Sequence, residues 1–159
     1  MKKNDLIFIV EDDQFYASAL GCFLNSLGFN NIEHYANGED CINNSFKMPK
    51  LVLLDYNLSD AKGVSIMLEL ISFDSNTPIV FISAQSSVQN AVDTLKYGSY
   101  DYIQKDEKTY KKLQHVIDRI TKGKELLRKQ YQQAVRKKIG YSALAFSMLS
   151  ISILTSYLV

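Results

Sequence analysis

The chain has 159 residues, 47% hydrophobic and 22% charged, a composition that suits one folded domain with an appendage and excludes a disordered chain. Its two cysteines, Cys22 and Cys41, form no CxxC pair and no Cys/His cluster, which excludes a structural zinc site; both stand among apolar residues and read as small buried hydrophobes. The net charge of +1 conceals three compositions in series: residues 1–106 carry 7 Lys and no Arg against 14 acids, residues 107–138 carry 8 Lys and 3 Arg against 3 acids, and residues 139–159 carry none.

In chain order, Met1-Lys2-Lys3 leads to an apolar run of only five residues, Leu6 to Val10, too short for a secretory leader. The domain is therefore expected to fold in the cytoplasm. The run itself reads as a strand buried on both faces of a parallel sheet. Gln14 to Leu27 follows as a helix, with Phe15, Ala19, Cys22, Phe23 and Leu27 near helical spacing and Gly28 closing it. A strand at Ile32–Tyr35 gives way at Asn37-Gly38 to a short helix through Phe46. Leu51–Leu54 is another buried strand, ending on Asp55, and Gly63–Ser72 is the helix after it. Pro78 opens the strand Ile79–Ile82, Ser87–Tyr97 is helical and closed by Gly98, Tyr100–Gln104 is a fifth strand, and a last helix begins near Glu107. Strands alternating with helices argue an α/β fold with a parallel sheet.

In such sheets the ligand site lies beyond the carboxyl ends of the strands. Those ends carry Glu11, Asp12 and Asp13 after the first strand, Asp55 after the third, Ser83 at the fourth and Lys105 after the fifth. Three carboxylates near one point repel unless a cation lies between them, and oxygen-only ligands suit Mg²⁺. A carboxylate can also attack phosphorus to give an acyl phosphate, with a lysine and a hydroxyl to meet the phosphoryl oxygens. A Mg²⁺-dependent phosphatase is the other chemistry; it needs a second acid placed for proton transfer, for which Asp13 is the candidate.

The segments Ile7–Asp13, Leu51–Asp55 with Gly63, Pro78–Ala84 and Gly98–Lys105 resemble the receiver domains of bacterial response regulators over about residues 4–122. The resemblance implies a doubly wound five-stranded parallel sheet of flavodoxin-like order 2-1-3-4-5. It implies Glu11 and Asp12 as the acidic pair holding Mg²⁺, with the Asn57 carbonyl as a further ligand. It implies Asp55 as both metal ligand and phosphoacceptor, Ser83 as switch hydroxyl, Tyr102 as switch aromatic and Lys105 as the lysine that meets the phosphoryl group. Such a protein takes its phosphoryl group from a histidine kinase or phosphotransfer protein and is not a turnover enzyme. Two positions depart from the family pattern: Asp106 stands where proline usually follows the lysine, and Ser59 stands where proline often follows the aspartate strand. A cis bond at Lys105-Asp106 would cost about 3–4 kcal/mol, so a trans bond is expected there.

Residues 123–138 read as a basic helical linker after a receiver at 1–122. Leu113, Ile117, Ile120, Leu127, Tyr131 and Ala134 recur at helical intervals, a stripe to pack on the sheet or on a second copy in a homodimer. The 37 residues after 122 are too few for a DNA-binding output domain, and nucleic acid is not an expected partner; no feature identifies a downstream protein. Residues 139–159 hold 14 apolar residues, one glycine and six Ser or Thr, about 31 Å of helix against about 30 Å of bilayer hydrocarbon. With Arg136, Lys137 and Lys138 before it, this segment is expected to anchor the receiver to the cytoplasmic face of the inner membrane, small residues Ala143, Ser147 and Ser150 allowing close helix packing. The alternative is a scaffold of the same fold that oligomerises through this helix and does not use the phosphorylation chemistry.

Overall fold

The structure, a computed structural model, describes residues 1–85 and 87–156, with side chains through 139. Short apolar runs become strands when both faces of a sheet are to be covered, because such strands need no polar alternation. In chain order the elements are β1 (Ile7–Val10), α1 (Gln14–Ser26), β2 (Ile32–Tyr35), α2 (Gly38–Asn43), a 3-10 turn (Ser45–Lys47), β3 (Leu51–Leu54), α3 (Gly63–Phe73), β4 (Ile79–Ser83), α4 (Val88–Lys96), β5 (Asp101–Gln104) and α5 (Thr109–Ser156). All strand pairs are parallel and the order is β2-β1-β3-β4-β5, as the resemblance implied.

The continuous apolar strands serve two cores at once, since successive side chains point to opposite faces. Ile7, Ile9, Leu51, Leu53, Val80 and Ile82 face one core, which Ala17, Leu20 and Leu24 of α1 and Leu113, Val116, Ile117 and Ile120 of α5 complete. Phe8, Val10, Val52, Leu54, Ile79 and Phe81 face the other, closed by Cys41 of α2 and Ile66, Met67 and Leu70 of α3. The chain divides into two compact units, Met1–Ile120 and Thr121–Val159, and both cores lie in the first.

Two expectations are corrected here, one about the inward face of α1 and one about the membrane. The inward face of α1 is Ala17, Leu20 and Leu24, whereas Phe15 is 91% exposed and Cys22 is exposed too; Cys41 alone is buried. The helix is apolar nearly all round, so spacing could not choose its inward face. In α5 the stripe is buried through Ile120, while Leu127 and Tyr131 are exposed. The second correction concerns the membrane: no helix of the described residues is long and apolar enough to cross one. Residues 139–156 of the expected anchor belong to α5, the helix that also carries Arg136, Lys137 and Lys138. Anchoring at the inner membrane through residues 139–159 is therefore withdrawn; the side chains of 140–159 on which it rested, Ala143, Ser147 and Ser150 among them, lie outside the described residues.

Candidate functional site

The sheet's hydrogen-bond ladder extends one residue past the strand ends and sets the site backbone. Glu11 N–H donates to Tyr35 O at 3.0 Å, Asp55 N–H to Val10 O at 2.9 Å and Lys105 N–H to Ser83 O at 2.7 Å. Each of these three residues is thus registered by a neighbouring strand. Glu11 and Asp55 leave the sheet on adjacent strands β1 and β3, where the strand order reverses, the place where such sheets bind ligands.

There, Glu11, Asp12 and Asp55 bring one carboxylate oxygen each to within 4.8 Å of one another, a group able to hold a metal ion. Lys105 reaches them from the far side of β4: its Nζ donates to the Glu11 carboxylate at 2.7 and 2.9 Å and stands 3.4 Å from Asp55 Oδ2. The Glu11, Asp55 and Lys105 side chains are 3%, 12% and 16% exposed, so these charges interact in a poorly screened setting, whereas Asp12 is exposed. Burial pushes the Asp55 carboxyl above its ordinary value, against the pull of Lys105 and of the Tyr56 and Asn57 backbone. Burial likewise raises Glu11, opposed by the Lys105 hydrogen bond and assisted by the Asp55 charge. One ammonium does not satisfy three carboxylates. The oxygen-only donor set with excess negative charge fits a small hard divalent cation.

The remaining residues named from the sequence surround this centre. Asn57 is exposed in the loop after β3 and pairs with Lys62 across an isolated antiparallel bridge. Ser83 is buried, its Oγ accepting the Gln85 N–H at 3.1 Å. The Tyr102 hydroxyl donates to the Gln85 carbonyl at 3.0 Å, and its ring lies 6.3 Å from Phe81 and 6.4 Å from Tyr56. Ser83 and Tyr102 therefore bind the same residue of the β4–α4 loop. Asp13, the candidate acid of a phosphatase, instead caps α1, accepting the Phe15 and Tyr16 N–H groups at 2.9 and 3.1 Å. Among the described residues every peptide bond is trans, Lys105-Asp106 included. Asp106 uses what proline lacks: its N–H donates to Thr109 Oγ1 at 2.7 Å, and its carboxylate binds Lys108 N and Lys112 Nζ.

Three contributors were missed from the sequence. Asp60 receives the N–H groups of Gly38, at 2.9 and 3.1 Å, and of Glu39, at 3.2 Å, mooring the loop that carries Asn57 to the start of α2. Thr109 closes the turn after Lys105 through Gln104 O and Asp106 O. The Tyr16 ring lies 4.3 Å from Lys105 Nζ. No local sequence signal marks these residues, because each acts on a partner distant in sequence or through a turn with no fixed motif.

The profile of the family described as "Response regulator receiver domain" matches residues 7–118. The chain is 34% identical over 99 residues to the transcriptional regulatory protein CssR of Bacillus subtilis, covering 62% of this chain and 44% of CssR. It is 31% identical over 96 residues to the luminescence regulatory protein LuxO of Vibrio campbellii, covering 60% of this chain and 21% of LuxO. The chain thus matches less than half the length of either relative. Among solved structures, a chain of the CheX–CheY–BeF3–Mg²⁺ complex from Borrelia burgdorferi superposes with a TM-score of 0.65 at 29% identity, covering 72% of this chain and 87% of that one.

Proposed function

The chain belongs to the response regulator receiver domain family, and from that premise and the geometry of its acidic pocket we propose that it accepts a phosphoryl group on Asp55 and signals by changing conformation. The observation that carries this reading is the contact of Lys105 with Glu11 and Asp55 inside a half-buried cluster of carboxylates. An Asp55 carboxylate oxygen attacks the phosphorus of a phosphohistidine on a histidine kinase or phosphotransfer protein. The bond from phosphorus to the imidazole nitrogen breaks as the acyl phosphate forms. Lys105 meets the added oxygens with a compact positive charge, and the Ser83 hydroxyl offers them a hydrogen bond.

Glu11, Asp12, Asp55 and the Asn57 carbonyl are the groups that would hold Mg²⁺, and the Borrelia complex containing Mg²⁺ and BeF3 supports that assignment. When bound, the ion supplies positive charge that offsets the charge gathering on the phosphoryl oxygens. The protein's own part is to hold the acids together before the ion arrives, which the strand ladder does.

Ser83 accepts the Gln85 N–H and Gln85 O accepts the Tyr102 hydroxyl, so a Ser83 hydroxyl drawn toward a phosphoryl oxygen would pull on the residue that also holds Tyr102. Phosphorylation would therefore favour a second arrangement of the β4–α4 loop and of the Tyr102 ring, a shift between two populations. The test is labelling by acetyl phosphate. Wild-type chain is expected to be labelled only with Mg²⁺ present, and Asp55→Asn to lose the label while keeping its circular dichroism spectrum. Undiminished labelling of a folded Asp55→Asn protein would sink the assignment.

A further inference from the structure

We propose that Tyr16 is the positioning residue for Lys105, its ring holding the ammonium where a phosphoryl group on Asp55 would meet it; this rests on the reading of Asp55 as phosphoacceptor. Lys105 has a long flexible stem, and its closest partner is Glu11, at 2.7 and 2.9 Å, with Asp55 farther at 3.4 Å. Glu11 also belongs to the group of carboxylates able to hold a metal ion. A cation engaging Glu11 competes with Lys105 for the same oxygens and loosens the lysine from its nearest anchor. A carboxylate anchor is thus lost when the site is loaded. An aromatic face is not, because it attracts the ammonium without offering oxygen to a metal.

The Tyr16 ring is placed to do this, 4.3 Å from Lys105 Nζ. It is itself fixed by its place at the start of α1, where Asp13 receives the Tyr16 N–H, and by packing against the core beneath α1 and α5. A second observation separates the ring from its hydroxyl: the Tyr16 hydroxyl oxygen is buried without a hydrogen-bond partner. The contact with Lys105 is therefore made by the ring and not by the hydroxyl. Phenylalanine would keep the ring and remove the unpaired group. Leucine would keep apolar bulk and remove the attraction.

The experiment compares Tyr16→Phe, Tyr16→Leu and wild type in the full chain. It measures the affinity for beryllofluoride, a mimic of a carboxylate-bound phosphoryl group, at saturating Mg²⁺, and separately the affinity for Mg²⁺ alone. Tyr16→Phe is expected to match wild type within about twofold in both. Tyr16→Leu is expected to lose about tenfold for beryllofluoride while Mg²⁺ affinity stays within about threefold, in line with a partly desolvated cation–π contact. In a Lys105→Gln background, Tyr16→Leu is expected to add no further loss. The proposal is overturned if Tyr16→Leu binds beryllofluoride as wild type does, if both affinities fall together, or if the loss persists without Lys105. Failure of wild type itself to bind beryllofluoride would instead overturn the reading of Asp55 on which this depends.

Discussion

Asp55 and Glu11 are both largely buried carboxylates that the fold makes harder to ionise. Each therefore holds its proton more tightly in the folded chain than in the unfolded one. The folded state binds more protons than the unfolded state from about the ordinary values, 3.8 for Asp55 and 4.5 for Glu11, upward, and stability falls as pH rises through that window. At neutral pH without metal the cost of the pocket is mainly that of desolvating its carboxylates. Asp55→Asn removes one buried charge and leaves Glu11 paired with Lys105, so it is expected to raise Tm by about 3 °C at pH 7.5 in metal-free buffer. The difference between the two proteins should close as pH falls toward 4, which a thermal-melt series checks directly. A lower Tm for the asparagine protein at pH 7.5 would show that Asp55 contributes more through its bonds to Lys105 and Tyr56 than it costs in desolvation.

At the scale of elements, the site depends on how closely α3 approaches the end of β3. Gly63 begins α3 and donates its N–H to Tyr56 O at 2.8 Å. A Cβ there would run into the Asp55 carbonyl oxygen, come within 2.7 Å of Phe81 Cε1 and 3.2 Å of Tyr56 Cα. Two of those neighbours are backbone, which cannot swing aside, so the position takes glycine for space rather than for backbone freedom. Gly63→Ala is expected to destabilise by about 2–3 kcal/mol and to weaken acetyl-phosphate labelling, because relief of the clash displaces the backbone of Asp55. Denaturant unfolding measures the first effect and the labelling assay the second. Asp60 works on the same loop from the other side, fastening it to the N-terminal turn of α2 with backbone bonds that, against the cost of burial, hold its carboxyl below the ordinary value.

For the molecule as a whole, both cores and every residue of the pocket lie within residues 1–120. The second unit, from Thr121, contributes the charged remainder of α5, on which Leu126, Leu127, Tyr131 and Ile139 are exposed. A chain ending at Lys122 keeps Leu113, Val116, Ile117 and Ile120, the α5 residues that close the first core. It is expected to melt within about 3 °C of the full chain and to be labelled by acetyl phosphate to the same extent. A large fall in Tm on truncation would mean that residues beyond 122 stabilise the sheet.

The amino-acid sequence by itself determined the architecture and the acidic pocket's membership. Four- and five-residue apolar runs can be covered only by layers on both faces, and their polar terminators, Glu11, Asp55 and Lys105, must then share one rim. Helix and strand limits fell within a few residues of those expected for the same reason: Gly28, Asn37, Pro78 and Gly98 act locally. Tertiary structure decided what depends on packing from afar. It turned α1 so that Leu20 and Leu24 are buried and Phe15 is not, a choice between two apolar faces that only the sheet beneath could make. It buried the stripe of α5 as far as Ile120, although the sequence pattern continues to Ala134. And it brought Tyr16, Asp60 and Thr109 to the site, whose parts depend on distances between residues that no spacing along the chain encodes.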